Sequence, residues 1–128
     1  MPLLRCPDIE LHYEIDGSGP PVFLIAGMLS DSASWGSLVD VLAEHFTVIR
    51  ADNRTTGRTT PALAETSPQQ NAKDLLALMD HLDIEQSHIM GYSMGSRISA
   101  WLAAYHPNRV DRVVLGGMGA HIFGQRRD

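Results

Sequence analysis

The sequence lacks the features that mark secreted or membrane-bound proteins. Its 128 residues contain one cysteine, Cys6, so it cannot form an internal disulfide, and a reducing cytoplasm is the expected compartment. No apolar run approaches the roughly 18 residues of a membrane helix. The first residues also lack the basic start and apolar stretch of a signal peptide. We therefore expect a cytoplasmic protein that does not bind membranes.

Basic residues are also scarce, and this argues against nucleic acid as a partner. Ten Lys and Arg residues stand against fifteen Asp and Glu residues, which gives a net charge of −5. Binding to phosphate backbones needs clustered cations, and the one dense cluster, Arg126-Arg127, is typical of a solvated tail. No Cys/His cluster has the spacing of a metal site. We expect neither a metal nor a cofactor.

Apolar residues recur in a pattern that alternates strands with helices. The pattern predicts five strands, at residues 9–15, 21–26, 46–51, 87–91 and 110–115. It predicts three helices, at residues 34–45, 71–82 and 94–106, with Ser34 as a helix cap. The first strand alternates apolar and polar residues, which favours an antiparallel edge strand, whereas the later apolar runs favour buried parallel strands. The predicted fold class is therefore α/β, with a mainly parallel sheet and flanking helices.

The sharpest motif is Gly91-Tyr92-Ser93-Met94-Gly95, which matches the G-x-S-x-G nucleophile elbow. A predicted strand ends at Gly91 and a predicted helix begins after Ser93, as this motif requires. The tight turn presents the serine hydroxyl, and the flanking glycines let backbone pass closely without Cβ clashes. A Gly/Ser turn between strand and helix is the structural alternative, but this context favours Ser93 as a catalytic nucleophile.

Acyl transfer also needs hydrogen-bond donors for a negatively charged oxygen. The elbow supplies the backbone N–H of Met94, and a second donor comes from the loop after the first buried strand. That loop begins at Ala26-Gly27, so we predict the N–H of Met28 as the second donor. Each such donor contributes about 2.7–4 kcal/mol to transition-state stabilisation.

Four stretches carry a family resemblance: PVFLIAGM, then Trp35, then RADNRTTGRT, then HIMGYSMGSRISAWLAAYHPNRVDRVVLGG. In this order they resemble the α/β-hydrolase superfamily, in its esterase, lactonase and cofactor-free haloperoxidase-like branch. Relatives commonly have His-Gly where this chain has Ala26-Gly27. The resemblance implies that Asp52 and Arg54 fix a turn and are not catalysts. Related epoxide hydrolases use aspartate at the elbow, so Ser93 implies attack on an ester, a lactone or a related acyl bond of a small molecule.

The resemblance also implies that the catalytic triad is incomplete within this sequence. Relatives follow the order Ser, then Asp or Glu, then His, with the acid after a later strand and the histidine near the C-terminus. Residues 1–128 would then form a partial domain, the N-terminal portion, without the cap and the C-terminal strands. Five histidines are interpreted as surface or packing residues: His12, His45, His81, His88 and His106.

Two alternatives to a hydrolase fragment remain open. His121 follows the last strand and is a candidate base for a complete small esterase, although lining a pocket with Trp35 and Tyr92 is the favoured role. The second alternative is a non-catalytic interaction module or pseudo-enzyme on the same partial fold. In either case, the apolar strand at residues 110–115 would form an exposed edge, which predicts self-association.

Overall fold

A computed structural model of the chain describes residues 3–27, 35–54, 58–60 and 67–117. The described residues form six strands: β1 Leu3–Arg5, β2 Glu10–Gly17, β3 Pro21–Ile25, β4 Thr47–Ala51, β5 Ser87–Tyr92 and β6 Val110–Gly116. Three α-helices connect them: α1 Leu38–Ala43, α2 Pro68–His81 and α3 Met94–Tyr105. A short 3-10 turn, Pro107–Arg109, precedes β6.

The strands form one sheet in the order β1-β2-β4-β3-β5-β6. β4, β3, β5 and β6 are parallel neighbours in the sheet, and β2 runs antiparallel to β4. The predicted mainly parallel α/β fold is therefore confirmed. The prediction that residues 9–15 form an edge strand was wrong. β1 pairs with β2 on its outer side, with Leu3 opposite His12. The three residues of β1 are too few to show a periodic pattern, so the sequence did not reveal them.

Side chains of β3 alternate between two hydrophobic layers, because successive residues of a strand point to opposite faces. Phe23 and Ile25 join the larger core beneath α2 and α3. Val22 and Leu24 pack on the other face with Val39 of α1. β3 is therefore buried on both faces, as its unbroken apolar sequence predicts.

Helix boundaries follow local capping. α2 begins at Pro68 because the Ser67 side chain accepts a hydrogen bond from the amide of Gln70 at 3.0 Å. The prediction placed this start at residue 71. α1 begins at Leu38 and has six residues, fewer than the predicted range of 34–45, and Ser34 lies outside the described residues. None of the described helices has the length and apolarity needed to cross a bilayer.

Candidate active site

Ser93 joins β5 to α3 in a backbone conformation that few residues other than glycine adopt. Its φ is +57° and its ψ is −119°, and it occupies the cap position immediately before α3. Such a conformation costs of order 1–3 kcal/mol and persists only where the surrounding structure imposes it. The residue is partly exposed at the carboxyl end of β5. The strand, the strained turn and the helix thus form the geometry that the sequence motif predicts.

The two elbow glycines are required by close backbone contacts. A Cβ at Gly91 would overlap the carbonyl oxygen of Gly95, and a Cβ at Gly95 would overlap the carbonyl oxygen of Ile25. Residue 95 lies in the first turn of α3, so its missing side chain lets this helix approach the end of β3. The contacts account for both glycines of the motif in steric terms.

Hydrogen bonds tie the elbow to the end of β6. The amide of Ser93 donates to the carbonyl of Gly116 at 2.8 Å. The buried hydroxyl of Ser96 lies 2.7 Å from the same carbonyl and 3.0 Å from the carbonyl of Gly91. No sequence pattern marks Ser96, because its partners are distant in sequence or form part of the turn itself.

The loop after β3 approaches the serine, as the predicted oxyanion site requires. A Cβ at Gly27 would stand 3.1 Å from the Cβ of Ser93 and 3.7 Å from its Oγ. The side chain of Asn53, which follows β4, donates to the carbonyl of Ala26 at 3.1 Å and so holds the end of β3. No sequence pattern marks Asn53 as a residue of this site. The other predicted donor, Met28, lies outside the described residues.

Met94 is the first residue of α3, with a half-buried side chain that packs against the larger core. The first amides of an α-helix have no acceptor within the helix, and the helix dipole places partial positive charge there. Its amide is therefore placed by the fold where a helix can stabilise negative charge. Ser93 immediately precedes this amide in the chain.

The three predicted pocket residues have different surroundings. Tyr92 is 57% exposed, and its ring lies beside the backbone of Gly116 and Gly117. Trp35 is half-buried against the smaller core on the α1 side of the sheet. His121 lies outside the described residues. Tyr92 is therefore the described member of this group that adjoins Ser93 in the chain and faces solvent.

Asp52 and Arg54 hold the turn after β4, in agreement with the role that the resemblance implies. Asp52 accepts a hydrogen bond from the amide of Arg58 at 2.8 Å. The buried Arg54 guanidinium contacts Asp8 at 2.6 Å and Asp74 at 2.7 Å. The hydrogen bond from Arg54 lowers the pKa of Asp8, whereas burial raises the pKa of Asp74.

No acid or histidine is hydrogen-bonded to the Ser93 hydroxyl within the described part of the chain. Three of the histidines pack against aromatic rings instead: His81 on Tyr13, His88 on Phe46 and His106 on Trp101. Burial is the main cause that raises the pKa of the Cys6 thiol, which opposes a thiolate nucleophile there. Across residues 3–27, 35–54, 58–60 and 67–117, no group of three His, Cys, Asp or Glu residues could hold a metal ion.

Comparison with known proteins identifies the family. The family model for the alpha/beta hydrolase fold matches residues 20–122, and the chain belongs to this family. It is 34% identical over 115 residues to the Azorhizobium caulinodans protein named "Putative carbamate hydrolase RutD", covering 90% of this chain and 43% of that protein. The chain thus spans less than half the length of the curated relatives that it matches.

Solved structures show the same partial coverage. The enol-lactonase of Burkholderia xenovorans LB400 superimposes with a TM-score of 0.82 at 34% identity, over 88% of this chain and 45% of that one. A hydrolase from Pseudomonas aeruginosa PA01 gives a TM-score of 0.85 at 29% identity, over 89% of this chain and 44% of that one. The chain is therefore the N-terminal portion of an α/β-hydrolase fold.

Proposed function

We propose that this chain supplies the nucleophile and the oxyanion site of a serine hydrolase that acts on an ester, a lactone or a related acyl bond of a small molecule. The observation that carries the proposal is the positive φ of Ser93 at the junction of β5 and α3. Residues that are strained in this way cluster at active sites, where the surrounding structure maintains the strain. A strained, partly exposed serine at a strand-to-helix turn is the arrangement that acyl transfer uses to present a hydroxyl.

In the proposed reaction, the Oγ of Ser93 attacks the acyl carbonyl carbon and loses its proton to a general base. The amides of Met94 and Met28 donate hydrogen bonds to the resulting tetrahedral oxyanion. Collapse of the tetrahedral intermediate expels the alcohol, which takes the proton from the general base. The acyl-enzyme that remains is then hydrolysed by water. This chemistry requires no metal or organic cofactor, and we retain the prediction that none is used.

The choice of an acyl substrate has two supports. Serine at the elbow is a nucleophile for carbonyl carbon, and the Burkholderia neighbour is described as an enol-lactonase. The triad acid and base remain predictions for sequence beyond Asp128, by the family order of Ser, acid, His. A cytoplasmic location likewise remains a prediction.

The proposal is tested with a fluorophosphonate probe on the 128-residue chain, followed by peptide mapping. Although the general base is predicted outside this sequence, the oxyanion donors still stabilise the charge that develops when a serine attacks the probe, and each donor is worth about 10²–10³ in rate. We therefore expect Ser93 to be modified well before the exposed Ser37, which serves as the internal comparator. Ser93→Ala should abolish the adduct. Equal, slow modification of Ser93 and Ser37 would instead support a non-catalytic interaction module.

A further inference from the structure

The hydroxyl of Ser96 lies at a junction of three elements around the candidate nucleophile. Ser96 is in the first turn of α3 and is fully buried. Its Oγ is 2.7 Å from the carbonyl oxygen of Gly116 in β6 and 3.0 Å from that of Gly91 in β5. It also accepts a hydrogen bond from the amide of Gly116 at 3.0 Å.

The same carbonyl of Gly116 accepts the amide of Ser93 at 2.8 Å. A hydroxyl carries one proton, so Ser96 shares it between two carbonyls while its lone pairs accept from the Gly116 amide. Gly116 is the last residue of β6 and Gly91 is the next-to-last residue of β5, so both carbonyls lie close to the point where the pairing of these strands ends. The Ser96 side chain thus continues the connection between β5 and β6 beyond their backbone ladder.

We propose that Ser96 is a positioning residue, which holds the elbow against the end of β6 and so keeps Ser93 in its reactive conformation. The inference rests on the proposed hydrolase function for its catalytic consequence. Without the Ser96 hydroxyl, the Gly116 amide loses its acceptor and the Gly116 carbonyl loses one of its two donors. The turn at residue 93 then has fewer contacts that oppose relaxation of its positive φ.

Ser99 provides a matched control one turn further along α3. It is also fully buried, but its hydroxyl donates to the carbonyl of Gly95 at 2.7 Å, within its own helix. Ser96→Ala and Ser99→Ala therefore delete the same group from equally buried positions. Only the first deletion removes a link between α3 and β6.

The test compares these variants in the full 128-residue chain by two measurements. The first is the rate of fluorophosphonate labelling at Ser93, per folded molecule. Because a misplacement of about 1 Å can cost about 100-fold in rate, we expect Ser96→Ala to slow labelling by at least about tenfold. Ser99→Ala removes a bond that stays within α3 and involves neither β6 nor the Ser93 amide, so it should slow labelling by clearly less than this.

The second measurement is amide hydrogen exchange by NMR, which does not depend on reactivity. Ser96→Ala should accelerate exchange at the Ser93 amide more than at the Leu24 amide, which is buried in β3 and reports global opening. Ser99→Ala should change both amides equally. If Ser96→Ala does not fold, Ser96→Cys keeps a similar volume and a weak hydrogen-bonding group, and should show the same effects in reduced size.

The outcomes separate the two proposals. Faster amide exchange at Ser93 than at Leu24 in Ser96→Ala, together with labelling of Ser93 no faster than of Ser37 in the unmodified chain, would support the positioning role and contradict the hydrolase. The positioning role alone would be overturned by two results together. Ser93 would be labelled as fast in Ser96→Ala as in the unmodified chain, and amide exchange at Ser93 and Leu24 would rise equally.

Discussion

Two residues other than glycine have positive φ among those described, and they differ in what explains them. Asp83, with φ +58°, follows the end of α2, where a left-handed residue commonly terminates a helix. Ser93, with φ +57°, precedes a helix, where an extended conformation is usual. Helix termination accounts for the first, whereas the second is imposed by contacts with β3 and β6. A strained residue of this kind is typical of a functional site.

Gly95 is predicted to tolerate no side chain. Gly95→Ala would drive a Cβ into the carbonyl oxygen of Ile25, which belongs to the backbone of a central strand and cannot move aside. We expect a loss of at least about 2 kcal/mol in the free energy of unfolding, in the range for overpacking. Urea denaturation followed by circular dichroism measures this change.

Gly116→Ala is the matched control, because a Cβ at Gly116 would make only ordinary contacts, at 3.5 Å from the Tyr92 ring. This variant should lose less than about 1 kcal/mol. Equal destabilisation by both substitutions would contradict the steric account of Gly95.

At the scale of elements, Arg54 joins three segments that are far apart in sequence. Its guanidinium contacts Asp8, between β1 and β2, and Asp74 in α2, and its own amide donates to the side chain of Asn71 at 3.0 Å. The hydrogen bonds that Arg54 donates to Asp8 and to Asp74 raise its pKa above its usual range, so it stays charged. The network therefore anchors the turn after β4, and with it Asn53, which holds the loop beside Ser93.

The network predicts a specific dependence of stability on pH. The hydrogen bond from Arg54 lowers the pKa of Asp8 in the folded chain. The ionised Asp8 therefore contributes fully to the free energy of unfolding above its unfolded pKa of about 3.9. That contribution is lost as the pH falls through the lower pKa of the folded chain. Burial raises the pKa of Asp74, so its contribution to the free energy of unfolding is lost as the pH rises, opposite to that of Asp8. Asp8→Asn should therefore be less stable than the unmodified chain at pH 6, with a gap that narrows towards pH 3.

Denaturation curves at several pH values between 6 and 3 measure this gap. Glu44→Gln at an exposed position after α1 is the control, and it should show no comparable narrowing. A gap between Asp8→Asn and the unmodified chain that stays constant across this range would show that the ion pair does not contribute through its charge.

At the scale of the whole molecule, β6 forms one edge of the sheet. In the described part of the chain it pairs with β5 on one side and with no strand on the other, and its Val113 and Val114 are 37% and 53% exposed. Unpaired strand edges with apolar side chains are templates for strand addition. We propose that a second copy of the chain pairs along this edge, since each copy presents the same unpaired groups and a two-fold axis matches them.

Val114→Lys tests this self-association, because a charged side chain on an edge strand opposes pairing. Sedimentation velocity should show dimers or larger species for the unmodified chain and a shift towards monomer for the variant. Val41→Lys, on α1 at 59% exposure, is the matched control and should not shift the distribution. A stable monomer at all concentrations of the unmodified chain would contradict the proposal.

Local sequence determined the features that depend on neighbouring residues. Apolar runs identified the parallel strands, helical spacing identified α2 and α3, and the glycines around Ser93 identified the turn between strand and helix. These features follow from side-chain periodicity and backbone sterics within a few residues. The fold class and the candidate nucleophile could therefore be predicted before any contact was known.

Tertiary structure decided which distant residues meet. Examples are the pairing of β1 with β2, the contact of Asn53 with Ala26, the ion pairs of Arg54 and the bond from Ser96 to Gly116. The partners lie in separate segments, up to 46 positions apart in the chain. No periodic signal marks such partners, because a buried polar group takes whichever acceptor the packed elements bring within reach. The candidate nucleophile, Ser93, is marked by its motif in the sequence, whereas the groups that hold its turn in place are identified only when the sheet is assembled.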